Sequence, residues 1–185
     1  MSSSRKLSSL KEWLSKAKSL GILLGLYFCS QLSIAFLVSK AMPKIDFWNL
    51  QLSLKAQSYE GILNKMTESQ LMAFLEHYYV DYLIHPIIYG TALCSYCLVN
   101  QKLYQNKYSN LFKLLFWAPI IAASLDVFEN SVHFANIVWG QKQFNSFIYA
   151  ANIAARCKWS LALGAFFVNI VLSVLYFFKY RKKKI

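Results

Sequence analysis

Apolar residues run through this chain in four long blocks, too continuous for a half-buried strand or the one-sided stripe of a surface helix. The blocks lie at about 20–38, 77–99, 111–134 and 158–178, and each supplies roughly 20 residues. That is the length a helix needs to cross a hydrocarbon layer. The pattern predicts an all-α fold, a polytopic membrane four-helix bundle in one domain (20–178). A basic amphipathic flank (1–19) precedes it and a basic tail (179–185) follows.

The connecting segments sharpen the boundaries. In the flank, Leu7, Leu10, Trp13 and Leu14 share one helical face among Arg5, Lys6, Lys11, Lys16 and Lys18. Such a helix suits an interfacial position on an anionic leaflet, or simply orients the first span. In the first block Gly21, Gly25, Cys29 and Ser33 recur every four residues, a spacing that lets a second helix approach closely. Gln31 interrupts this block and should face other helices. Residues 39–66 form the longest non-spanning segment; Pro43 breaks the helix, and Phe47, Trp48, Leu50, Leu52 and Leu54 read as interfacial. Thr67-Glu68-Ser69-Gln70 is a capping box, so the second helix should start before its apolar block, which begins near His77. Asn100–Asn110 is a short basic link. Residues 136–157 read as a polar return with an aromatic girdle of Trp139, Phe144, Phe147 and Tyr149. Asn169 is the strongly polar residue inside the last block.

Charge sets the orientation. The formal net charge is +12, and the lysines gather at block ends and tails. The N-terminal flank, the 100–110 link and the C-tail are basic with almost no acid, which places both termini in the cytoplasm. With no basic, aromatic-interleaved stripe on a soluble unit, nucleic acid is not an expected partner. The bilayer is, in a bacterial inner membrane or, in a eukaryotic cell, the endoplasmic reticulum. Cys94-x-x-Cys97 has metal or redox spacing, but without a second pair these residues read as small packed hydrophobes.

Three acids and two histidines, His85 and His133, fall inside the blocks, and His77 sits at an entrance. A charged side chain in hydrocarbon costs at least about 2.5–3.5 kcal/mol, so such residues should face the bundle interior. At 100° per residue, Asp126, Glu129, Asn130 and His133 share one sector of the third helix. Tyr78, Asp81, His85 and Tyr89 share one sector of the second. Counting about 1.5 Å per residue from the outer ends sets Asp81 level with Glu129, and His85 level with Asp126. The two polar faces should therefore meet in the outer half of the bilayer. Lys158 opens the last block at nearly that height, as a counter-charge or as a lysine snorkelling to headgroups. The candidate ligand-binding set is Asp81, His85, Tyr89, Asp126, Glu129, Asn130, His133 and Lys158.

Three roles compete for this set. It can be structural, with acids, histidines and Asn130 tying helices together. It can bind a small polar or lipid-like ligand, with proton exchange where carboxylates sit side by side out of water. It can catalyse acid–base or metal chemistry on a lipid-like substrate. The Glu-x-x-His hallmark of helix-bundle metal sites is absent, so no metal ligand is assigned, and the cofactor, if any, stays open. No nucleophile elbow, phosphate loop or zinc-protease motif appears. Filled packing would favour the structural role, a small polar pocket open to the outside an ion or solute, and an elongated apolar cavity opening sideways a lipid-handling role.

The segments DYLIHPIIYG (Asp81, Pro86, Tyr89, Gly90) and PIIAASLDVFEN (Pro119, Asp126, Glu129, Asn130), with Lys158-Trp159, resemble a family of uncharacterised bacterial four-span membrane proteins. The resemblance covers spans 2 to 4 and implies the four-span architecture and these positions, but no activity. A more distant similarity is to the sterol-isomerase and sigma-2-receptor group, which also places acids and a histidine in the outer half of a bundle. Span 1 here carries no acid, a departure from that group. The terminal Lys182-Lys183-Lys184-Ile185 has the form of a dilysine retrieval signal or a basic anchor.

Overall fold

A computed structural model of the chain describes residues 2–52, 56–105, 107–139 and 145–181. Leu54, Phe144 and the 182–185 tail lie outside them, as do the side chains of Arg5, Lys6 and Leu7. The described residues form eight helices and no strand: α1 (Ser2–Leu14), α2 (Ala17–Ala41), α3 (Lys44–Leu52), α4 (Ala56–Leu63), α5 (Glu68–Asp81), α6 (Ile84–Leu103), α7 (Ser109–Trp139) and α8 (Asn145–Arg181). Four stretches are long and apolar enough to cross a membrane: Ala17–Ala41, Glu68–Leu103, Ser109–Trp139 and Phe147–Lys179.

Thr67 caps α5 as its sequence requires. Its side chain accepts from the Gln70 amide, and Gln70 reaches back to the Thr67 N–H. The second block is two helices, not one. α5 ends at Asp81, and α6 starts at Ile84 after Tyr82 and Leu83. Pro86 sits in the first turn of α6, where its missing N–H costs no helical bond. Pro119, by contrast, lies within the unbroken α7.

The helices extend further than the apolar blocks. Most of the expected 136–157 return is helical, because α7 runs to Trp139 and α8 begins at Asn145. The expected interfacial segment 39–66 holds α3 and α4, which fold back over one end of the molecule. Leu50 and Tyr59 there are wholly buried with Ile34, Val38, Phe74, Tyr78 and Ile148, a core fed from five helices. We call this the cap end. The opposite, terminal end has its own cluster of Cys97, Phe112, Leu115, Ala165 and Leu172. The Asn100 side chain donates there to the Asn169 carbonyl and carboxamide oxygens, each at 2.9 Å, and Ser173 donates to Asn100.

α7 packs along α6 and α8, and α6 also meets α8. Gly90 brings α6 close to α7, since a Cβ there would lie 3.2 Å from the Ala123 Cβ. α2 packs along α5 and α6 and makes no comparable contact with α7 or α8. A groove is therefore left between α2 and α8, floored by α6. Among the described residues, nothing packs closely on the small-residue stripe of α2. A Cβ on Gly21 or Gly25 would meet nothing, and Cys29 and Ser33 are exposed. α1 docks on α6, where Ser95 donates to the Leu14 carbonyl at 2.6 Å, and leaves Leu10 and Trp13 exposed. Cys94 and Cys97 are free thiols bonded to the α7 carbonyls of Phe116 and Phe112, the behaviour of packed hydrophobes.

Candidate functional site

The α2–α8 groove contains a cavity of about 490 Å³. Its lower walls are apolar: Leu24 and Phe28 from α2, Ala92 and Leu93 from α6, Leu163 and Phe166 from α8. α3 roofs it with Phe47, Trp48 and Gln51. Under that roof the polar residues gather, with Asp81, His85, Tyr89, Asp126 and Lys158 all on the wall. From Lys158 to Phe166 the cavity runs about 12 Å along α8 at 1.5 Å per residue. Phe28, Leu163 and Phe166 border it and are themselves exposed, so the space opens sideways between α2 and α8.

Each polar residue is fixed by a different neighbour. The Lys158 ammonium contacts the Asp126 carboxylate and lies 2.6 Å from Glu129 Oε2. All three residues are buried, so Lys158 acts as a counter-charge and not as a lysine reaching for headgroups. The Asn130 side chain donates to the Asp81 main-chain carbonyl at 2.7 Å and to Asp126 Oδ1 at 3.3 Å, joining the two helical polar faces. The Tyr82 and Ser131 hydroxyls, 2.8 Å apart, add a second tie. His85 is held from α2: Ser30 Oγ sits 2.9 Å from its Nδ1, and the Tyr27 ring stacks on it at 5.6 Å.

The expected set therefore divides. Asp81, His85, Tyr89, Asp126 and Lys158 line the cavity; Glu129, Asn130 and His133 do not. Glu129 and His133 turn toward the cap end behind the wall, with His133 Nε2 3.9 Å from Glu129 Oε1. Tyr59 stacks on the His133 ring at 4.9 Å, its phenol pushed above the ordinary tyrosine value by burial and then by the Glu129 charge. The α7 sector is about 100° wide and is shared among three neighbours. Within it Asp126 faces the groove, while Glu129, Asn130 and His133 meet α8, α5 and α4.

Apart from Gln31, the contributions of α2 and α3 are not legible in the sequence. Tyr27 and Ser30 carry no sign that separates them from lipid-facing residues, and Trp48 and Gln51 lie in a segment read as interfacial. Gln31 was legible as an inward-facing residue and does line the cavity. Trp159, the second residue of Lys158-Trp159, packs at a tilt against Trp48 at the roof, with ring centres 5.6 Å apart. Among the described residues, no group of three His, Cys, Asp or Glu side chains is placed to hold a metal ion.

No protein-family model, curated protein or solved structure matches the chain. The fold and the cavity are thus the basis for any functional reading.

Proposed function

We propose that this is an integral membrane protein that takes a lipid-like molecule from the bilayer into the α2–α8 cavity. The observation that carries the reading is the cavity's shape. It is apolar along most of its length, polar at one end and open sideways. A ligand site is commonly a mostly apolar concavity with a few convergent polar groups. Filled packing, which a purely structural role for the acids calls for, is not what the groove contains.

On this reading the four apolar stretches cross the membrane as a bundle with both termini cytoplasmic, as the lysine distribution argues. The polar end of the cavity then sits in the outer half of the bilayer, with α3 and α4 as an outer cap. The broad apolar surfaces of α2, α7 and α8 face lipid; Leu32, Leu114 and Phe167 are all more than half exposed. The membrane is a bacterial inner membrane, or the endoplasmic reticulum in a eukaryotic cell. Of the residues shared with the bacterial four-span group, Asp81, Tyr89, Asp126 and Lys158 are on the cavity wall, and membership of that group is part of the same proposal.

A second reading, acid–base chemistry on such a ligand, is favoured by the titratable groups His85, Asp126 and Lys158 facing into the cavity. It predicts a chemically altered product, lost in His85→Phe.

Photo-crosslinking tests the binding reading. A bilayer-resident alkyl alcohol with a diazirine in its tail should label cavity residues of α2 and α8, such as Leu24 and Leu163, above the outward-facing Leu32 and Val171. Uniform labelling of both sets would refute it.

A further inference from the structure

We propose that the ligand of this cavity carries a cationic, hydrogen-bond-donating head, of the class of long-chain amines, which takes the Asp81 carboxylate as its counter-charge. The inference rests on the reading of the cavity as a lipid-like binding site and adds the chemistry of the head.

Charge counting around the polar end points that way. Three acids, Asp81, Asp126 and Glu129, face or back the cavity wall, and one lysine serves them. Lys158 already engages two carboxylates, so an anionic head would find no free cation and would meet the Asp81 and Asp126 charges. Asp81 is the acid left over. Its nearest charge partner among the described residues is His77, with Nε2 3.8 Å from Oδ2, beyond hydrogen-bond reach. His77 turns Nδ1 to the Phe74 carbonyl, and its Nε2 faces Asp81 across that gap. Asn130 donates to the main-chain carbonyl of Asp81 at 2.7 Å. Asp81 thus lines the cavity as the acid with which Lys158 makes no ion pair.

The surrounding side chains suit the same head. Tyr27, Tyr89, Phe47, Trp48 and Trp159 bring aromatic rings to the polar half of the cavity. Aromatic faces attract ammonium groups, more strongly where water is excluded. The cavity's run of about 12 Å along α8, apolar beyond its Lys158 end, accommodates a single alkyl tail.

The test compares heads on one tail. Wild-type protein in phosphatidylcholine nanodiscs is titrated with radiolabelled dodecylamine, with dodecanol and dodecanoate as competitors. Dodecylamine should bind saturably and outcompete dodecanol by about tenfold, the scale of one charge-assisted or cation–π contact. Dodecanoate should compete worst. Asp81→Asn should remove the preference for the amine while dodecanol still displaces it, and Asp81→Glu should restore the preference. Dodecanol matching dodecylamine in the wild type, or a preference surviving in Asp81→Asn, overturns the cationic head and leaves the lipid-like cavity standing. The absence of saturable binding by all three overturns the cavity reading as well. The wild-type comparison holds even if an Asp81 variant does not fold.

Discussion

Replacing Lys158 by methionine keeps an unbranched apolar stem and removes the ammonium from the Asp126–Lys158–Glu129 cluster. The loss should be large, because of where the charges lie. Lys158 is 5% exposed, Asp126 2% and Glu129 0%, so water cannot replace the missing cation. Two magnitudes compete. A typical polar contact between membrane helices contributes about 0.6 kcal/mol. Breaking a buried ion pair from one side costs about 3–5 kcal/mol, because an uncompensated charge stays behind. Burial this complete selects the second figure, and two carboxylates rather than one are left. Equilibrium unfolding of purified protein in mild detergent, followed by circular dichroism, should show Lys158→Met destabilised by about 3–5 kcal/mol. Adding Asp126→Asn and Glu129→Gln to the same variant removes the stranded charges and should recover most of the loss. The reasoning fails if Lys158→Met costs under about 1 kcal/mol, or if the neutralised triple variant is no more stable than the single one.

Other sites give independent checks. Gly90→Val should destabilise by about 1–3 kcal/mol in the same assay, since even a Cβ would lie 3.2 Å from Ala123 and the added methyls have nowhere to go. Asn100→Leu should cost about 1–3 kcal/mol by stranding the Asn169 carboxamide, whereas Asn100→Leu with Asn169→Leu should cost less than the single change. For topology, single cysteines introduced at Ser4 and at Lys183 in an otherwise cysteine-free chain should both resist an impermeant thiol reagent applied from outside. Labelling of either one places that terminus outside.

The sequence reading and the structure agree where the physics is local or nearly so. Hydrocarbon thickness sets the length of a crossing, so four apolar blocks imply four long helical stretches without knowledge of their neighbours, although the second is broken at Tyr82 and Leu83 into α5 and α6. The Thr67–Gln70 cap is a four-residue event and was readable as one. The cost of ionisable groups in an apolar run marks Asp81, Asp126 and Glu129 as inward-facing, and all three are buried. What one helix cannot specify is which neighbour each part of its polar sector meets. Asp126 and Glu129 are three residues apart, yet only Asp126 reaches the cavity, because α2 stands off on the far side of α6. The stripe of Gly21, Gly25, Cys29 and Ser33 invites a partner helix that the described residues do not provide. The fold of α3 and α4 was hidden because Leu50 and Tyr59 are buried through packing with distant residues, not through any pattern of their own segment. Tyr27 and Ser30 become part of the site only once α2 is placed beside His85.

Native mass spectrometry of protein gently released from its membrane tests the central claim most directly. Ala162 lines the cavity one turn beyond Lys158, and Ala162→Trp fills the space without touching any of the charged residues in sequence. Wild-type protein should carry a small amphiphilic adduct that Ala162→Trp lacks, while Gly21→Trp, a bulky change on the outward face of α2, should retain it. An adduct equally abundant in all three proteins, or in none, would contradict a ligand held between α2 and α8.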